Sequence, residues 1–366
     1  MITDACPVAT AGSPEKVLPA GRGASIGAAA PAGPRARSMR FSIVTPCFNG
    51  ARFIDETIVS VVTQVGPFAI RYHVQDGGSS DGTLDKRARW QARLGGDFPR
   101  LCQGVQFSYA SAPDRGMYDA IAAGFAQCGA GDAMAWINAD DRFEAGAFHL
   151  VARLLSRFSD VEWLCGRPAY LDEGGAVAGV LPLMSLPRKA VAAGLLDGRY
   201  WRFIQQEGGF WRPRLWQAAG GVDPAFRLAG DFDLWRRFAR HADPVAVDSI
   251  LGCFRRHEAQ ATGNMLPYYA EIDRSLSAAE RRQRDEAAAL YAGAASSADA
   301  LRAAGFAYRV IRRSDGGSWD CVELAPAQPE AALARRSLAG ALWEVRRHLS
   351  PRWSIRGLLR RLRRAR

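Results

Sequence analysis

The chain has 366 residues, 48% of them hydrophobic and 23% charged, which is ordinary for a globular protein and leaves room for one large domain with extensions. No apolar run reaches the roughly 18 residues that a membrane-spanning helix needs, and the first residues lack the basic and apolar regions of a signal peptide. The net charge of +11 is concentrated in residues 335–366, which hold eleven Arg and one acid, Glu344, so the basic balance says nothing about the substrate of the body.

Residues 1–38 are rich in Ala, Gly and Pro, have no apolar period, and read as a disordered leader. The seven cysteines are odd in number and include no CxxC pair. They read as small buried hydrophobes in a reducing compartment, not as a disulfide frame or zinc site.

Folding is expected to start at Met39. Residues 41–46 form a first strand that Pro46 ends, since Pro cannot donate to a central ladder. After the turn Cys47-Phe48-Asn49-Gly50, Ile54, Ile58, Val61 and Val65 have helical spacing. Residues 70–74 form a second strand, which runs into the Gly-rich acidic turn 75–83. This alternation predicts a parallel sheet with right-handed crossovers. The turn is not GxGxxG and follows the second strand, so a dinucleotide site is rejected. Asp76 reaches a nucleotide from the strand end, or Ser79, Ser80 and Asp81 merely cap the next helix.

A third strand covers 105–109. Asp114 and Arg115 then open a small-residue helix, where backbone amides and the helix dipole favour anions and an Arg suits a diphosphate. A salt-bridged helix start is the plain alternative. The apolar strand 134–137 runs directly into Asn138, Asp140 and Asp141. Two acids at the carboxyl end of a buried strand suit a divalent cation at the ligand-binding edge of an α/β sheet, although Asp141 can instead cap the next helix.

The ordered segments VTPCFNG, QDGGSSDGT, DRGMYDAIAAG, INADD, QQEGGFWR and AGDFDLW, from about Phe41 to His257, resemble GT-A glycosyltransferases of family 2. The resemblance implies a doubly wound, mostly parallel nucleotide-binding α/β sheet and a nucleoside-diphosphate sugar donor. It further implies Mg²⁺ or Mn²⁺ at a DxD-like motif, and inversion at the anomeric carbon. It places Pro46, Asn49, Asp76, Asp114, Arg115, Asp119 and Asn138 on the donor side, and Asp140, Asp141 and His257 at the metal. Gln206 and Glu207 fall on the acceptor side. The family's base lies in an acid pair at a helix start. Here the first member is Gly230, so Asp231 matches the base and Asp233 is the fallback. The metal motif departs too, because Asn138 brings a carbonyl but no charge.

Glycosyl transfer needs charge neutralisation at the leaving diphosphate and a base for the acceptor hydroxyl. Among the aromatics of 199–216, Phe210 and Trp216 read as core, and Trp201 is open between core and sugar stacking. A strand is expected from about Val245, and helices from Tyr268 to about Arg313.

In the tail, Ile355, Leu358, Leu359 and Leu362 form an aliphatic stripe mostly opposite Arg356, Arg360, Arg363 and Arg364. This pattern suits a helix lying on an anionic membrane surface, and no nucleic acid is expected. The expected organisation is leader 1–38, glycosyltransferase domain 39–258, helical extension 259–334 and basic tail 335–366. The expected activity is transfer to a lipid-linked or polysaccharide acceptor at the cytoplasmic membrane face. The alternative is a catalytically silent module of the same fold that binds glycan or nucleotide.

Overall fold

The structure is a computed structural model that describes residues 16–17, 38–258, 260 and 265–326. The expected leader, apart from 16–17 and 38, and the basic tail 335–366 lie outside the described residues. Among those described, no helix is long and apolar enough to cross a membrane.

The first half runs β1 (Lys16–Val17), β2 (Met39–Cys47), α1 (Ile54–Val62), β3 (Gly66–Asp76), α2 (Thr83–Gly95), β4 (Cys102–Ser111), α3 (Met117–Cys128) and β5 (Ala133–Trp136). Then come β6 (Arg142–Phe143), α4 (Ala147–Arg157), β7 (Trp163–Gly166), β8 (Ala169–Leu171), β9 (Val177–Val180) and α5 (Arg188–Ala193). A 3-10 turn at Gln206–Gly208 leads into β10 (Gly209–Trp211), α6 (Pro213–Ala219), α7 (Gly230–His241), β11 (Pro244–Val247) and β12 (Gly252–Arg255). The chain continues through α8 (Met265–Ser275), α9 (Ala278–Ala294), α10 (Ala298–Ala303), β13 (Tyr308–Arg313) and β14 (Trp319–Leu324).

The main sheet has the order β1-β14-β13-β11-β7-β10-β5-β2-β3-β4. Strands β4, β3, β2 and β5 are mutually parallel, and the winding reverses between β2 and β5. Such a reversal opens a crevice at the carboxyl ends of the strands. The short β10 runs antiparallel between β5 and β7, and β7, β11 and β13 resume the parallel direction. All seven parallel strands therefore end at one edge. A small second sheet, β6-β12-β8-β9, stands beside it.

Period-two alternation explains the two cores. Along β2, Phe41 and Ile43 point to one face, with α1 and α4 residues Ile54, Ile58 and Phe148. Val44 points to the other, with Tyr118, Ile121 and Phe125 of α3 and a large cluster of indoles.

Three expectations are corrected. Strand β2 continues through Pro46 to Cys47, because its pairing with β5 ends at Val44↔Trp136 and only β3 flanks Pro46. The strand expected from Val245 is two strands, β11 and β12, in different sheets. The helical reading up to Arg313 fails at Tyr308–Arg313, which pairs parallel with β11 and hairpins to β14, so the residues after 258 extend the main sheet. The six described cysteines are free thiols and all but Cys102 are buried, as expected.

Helix α3 lies close on β2 because Gly124 has no side chain. A Cβ there would stand 2.5 Å from Val44 Cγ1. Overpacking costs about 1–3 kcal/mol, against about 1 kcal/mol gained from helix propensity. Gly124→Ala is thus expected to lower stability in urea denaturation, and adding Val44→Ala to recover part of the loss. Equal or higher stability of the single variant would disprove the contact.

Candidate active site

The crevice at the carboxyl edge is walled by two loops that hold each other. The Asn49 amide donates to Ser79 Oγ (2.7 Å), the Ser80 amide to Asn49 Oδ1 (3.0 Å), and the Ala51 amide to Asp81 Oδ2 (2.9 Å). Asn49 reaches this with φ of 50°, a left-handed conformation that Asn tolerates. Asp76, at the end of β3, is fully buried. Its carboxylate accepts from the amides of Gly78 and Ser79 and from the hydroxyls of Ser79 and Ser111. Burial alone would raise its pKa. The Ser111 and Ser79 donors and the Arg87 charge outweigh burial and hold the carboxyl below its usual range.

At the end of β5 the chain delivers three side chains into different surroundings. Asp140 is partly exposed and meets His257 Nε2 at 2.9 Å. Asp141 is fully buried, accepting from the Arg255 amide (2.8 Å) and from Asn138 Nδ2 (3.0 Å). Behind it lies Glu207, also buried, and the two carboxyls are in hydrogen-bonding contact. Burial is the largest cause raising both: at Asp141 the Glu207 and Asp140 charges add to it, while at Glu207 the Asp141 hydrogen bond opposes it and the carboxyl stands at about 7. The buried Arg255 ties this corner together. Its Nε donates to the Asp140 carbonyl and its guanidinium pairs with Glu56 (2.6 Å).

The third group stands at the start of α7. Asp231 Oδ1 accepts from the Phe232 amide (2.8 Å) and lies 3.1 Å from the Tyr118 hydroxyl. Tyr118 is in the first turn of α3, and α3 follows the carboxyl end of β4. Asp231 is therefore at the same sheet edge as Asp140. Burial raises its carboxyl to about 6. The Phe232 and Tyr118 donors oppose that shift, and the Glu271 charge adds to it. A carboxyl so placed can take a proton near neutral pH.

Residues 42–181 match the family model of glycosyl transferase family 2. That match spans the first parallel strands of the sheet and the Asp140 corner, and it is to the family's model over this segment alone. No curated protein matches the chain. Among solved structures, Staphylococcus aureus TarS 1-349 is similar at 16% identity and TM-score 0.46, over 59% of this chain and 60% of that one. The mannosyltransferase PcManGT from Pyrobaculum calidifontis, in complex with GDP-Man and Mn²⁺, is similar at 15% identity and TM-score 0.46, over 74% and 79%. GalNAc-T7 with UDP, GalNAc and Mn²⁺ follows at 10% identity and TM-score 0.46, over 68% and 54%. The chain spans about 60% of the length of the first of these.

The structure sorts the residues that the sequence singled out. Asn49, Asp114, Asp140 and His257 lie on loops, Asp76 at the end of β3 and Asp231 in the first turn of α7, all at the carboxyl edge. Pro46 is buried inside β2. Arg115 is exposed and ion-paired with Asp119 at 2.8 Å, the salt-bridged helix start, and this pairing holds the Asp119 carboxyl low. Asp114 caps its own turn by accepting from the Gly116 amide. Asp233 is held by Arg237 at 2.6 Å, which leaves Asp231 as the carboxylate facing Tyr118. Gln206 and Glu207 are buried, so they back the Asp140 corner and do not line an open surface. Trp201 is corrected from the acceptor side to the core, because it is 1% exposed and edge-on to Tyr291 at 4.8 Å.

Sequence reading missed Tyr118, Arg255 and Glu271. Tyr118 sits inside DRGMYDAIAAG, and Arg255 lies two residues before His257. Nothing local marked Glu271.

Protonation of Asp231 is visible in stability. The folded carboxyl binds its proton more tightly than the unfolded one. Stability is therefore fully present below the ordinary carboxylate range and lost as pH rises through about 6. Asp231→Asn removes that ionisation. The variant is expected to be more stable than wild type at pH 7.5, by no more than about 3 kcal/mol at about 1.4 kcal/mol per unit. The difference should shrink toward zero below pH 4. A difference that does not change with pH in urea titrations would refute the shift.

Proposed function

We propose that the chain transfers a glycosyl group from a nucleoside-diphosphate sugar to an acceptor hydroxyl with inversion, Asp231 acting as base. The observation that supports this reading is that Asp140, hydrogen-bonded to His257 after β5, and Asp231, in the first turn of α7 beside Tyr118, stand at one edge of one sheet. The loop after β2 and the loop after β3 form the nucleoside wall, with Asp76 fixing its shape through its own loop's donors. Asp231 takes the proton of the acceptor hydroxyl as that oxygen attacks the anomeric carbon. Tyr118 orients the carboxylate.

The donor set fits a divalent cation. Asp140 offers a partly exposed carboxylate and His257 a ring nitrogen 2.9 Å away, while Asn138 Oδ1 is buried without a partner. Among the described residues no trio of His, Cys, Asp or Glu is arranged to cage a metal. Mg²⁺ and Mn²⁺ suit such sparse sites, where one or two protein ligands share the ion with substrate phosphates. When bound, the cation supplies positive charge against the leaving diphosphate. The acceptor is proposed to be a glycan or lipid-linked hydroxyl at the cytoplasmic membrane face. The support is the aliphatic and Arg-rich faces of 335–366, which lie outside the described residues.

A thermal-shift panel of UDP, GDP, dTDP and CDP, each with and without Mn²⁺, tests the donor side. A ligand at a hundred times its dissociation constant adds about 2.7 kcal/mol, roughly 5–10 °C here. One nucleotide is expected to give a Mn²⁺-dependent shift that Asp140→Ala abolishes. Asp231→Asn is expected to keep that shift and to lose transfer at least a hundredfold. A silent binding module would show the nucleotide shift with no turnover in the wild type.

A further inference from the structure

Helix α7 begins without a side-chain cap of its own. Its cap position is Ala229, whose methyl group cannot accept a hydrogen bond. The missing acceptor comes from another helix. Glu271, on α8, takes the Arg227 amide on Oε1 at 2.8 Å, and the Leu228 and Ala229 amides on Oε2 at 2.7 Å each. Three consecutive amides thus converge on one carboxylate. The carbonyl side of the same loop is held from α3, where the Tyr118 hydroxyl stands 3.0 Å from the Leu228 oxygen and 3.1 Å from Asp231 Oδ1. Ile272 and Leu276 of α8 pack with Ala229 and Phe232, so the clamp is seated on a small apolar core.

We infer that Glu271 is a positioning residue for Asp231, acting through the three amides that precede α7. The role rests on the reading of Asp231 as base, but the arrangement does not. Both carboxylate oxygens accept amides here, which the neutral amide of the same shape, with one acceptor oxygen, could not do. Glu271 does more, because its charge is set against a second carboxylate two residues beyond the loop it holds. The titratable groups acting on Asp231 are Tyr118 on α3 and Glu271 and Tyr268 on α8. Both tyrosines are themselves pushed far up by burial, so they stay neutral and Glu271 is the charge among them.

The test is a carboxyl ¹³C NMR titration of the full chain, with Asp231 assigned by its loss in Asp231→Asn. Glu271→Gln keeps shape and an acceptor but removes the charge. It is expected to lower the Asp231 midpoint by about half a pH unit or more, a threefold or greater change in proton affinity. An unchanged midpoint in the folded variant overturns the inference. Should Glu271→Gln fail to fold, Glu271→Asp decides. It keeps the charge but shortens the reach to the three amides, and an Asp231 midpoint and a transfer rate both equal to wild type would overturn the inference. If the midpoints move but Asp231→Asn still transfers sugar, the base assignment fails and the clamp stands.

Discussion

Trp235 is sandwiched between Trp136 and Trp163, 5.5 Å from the first with planes 6° apart and 5.1 Å from the second at 25°. All three rings are buried. Trp136 closes β5 two residues before Asn138, and Trp235 lies one turn of α7 beyond Asp231. The stack therefore sets how far the Asp140 corner stands from the Asp231 carboxylate. It has a cost, since the indole N–H groups of Trp163 and Trp235 are buried with no partner. An unsatisfied donor costs about 1–3 kcal/mol. Burying about 200 Å² of ring at about 25 cal/mol per Å² returns roughly 5 kcal/mol, and stacking adds to that. Burial wins, which is why the site can be built on these rings.

The same balance governs the acids. Asp140, Asp141 and Glu207 crowd the end of one strand, and two of them are buried. Such a cluster unfolds a protein unless the charge is reduced or matched. Here both happen. Burial pushes the Asp141 and Glu207 carboxyls up toward their neutral forms, and Arg255, itself fully buried, lies against the Asp140 carbonyl with its charge answered by Glu56. Phe53 packs under both the Arg255 guanidinium (4.7 Å) and the His257 ring (4.9 Å). What remains open at this corner is Asp140 and the edge of His257, a far smaller charge than the sequence suggests.

Strand-to-loop junctions were legible because they are local. An apolar run ending in polar residues places Asp76 and Asp140 without any tertiary knowledge. Their surroundings were not legible. That Asp76 is saturated by Ser79 and Ser111 depends on a contact 35 residues along the chain. That Asp141 is buried depends on Arg255, and that Trp201 belongs to the core depends on Tyr291. Residues 308–313 end an Ala- and charge-rich stretch that reads as helix, and only pairing with β11 makes them a strand.

Gly230, at the start of α7, is held to glycine by its surroundings. A Cβ at 230 would stand 2.7 Å from the Tyr118 ring. An acid there would push Tyr118 away, and with it the hydroxyl that meets both Asp231 and the Leu228 carbonyl. Glycine at 230 and tyrosine at 118 are thus one feature. With glycine at 230 the neutral Tyr118 hydroxyl stands beside Asp231, while Glu271, reaching in from α8, supplies the negative charge nearby.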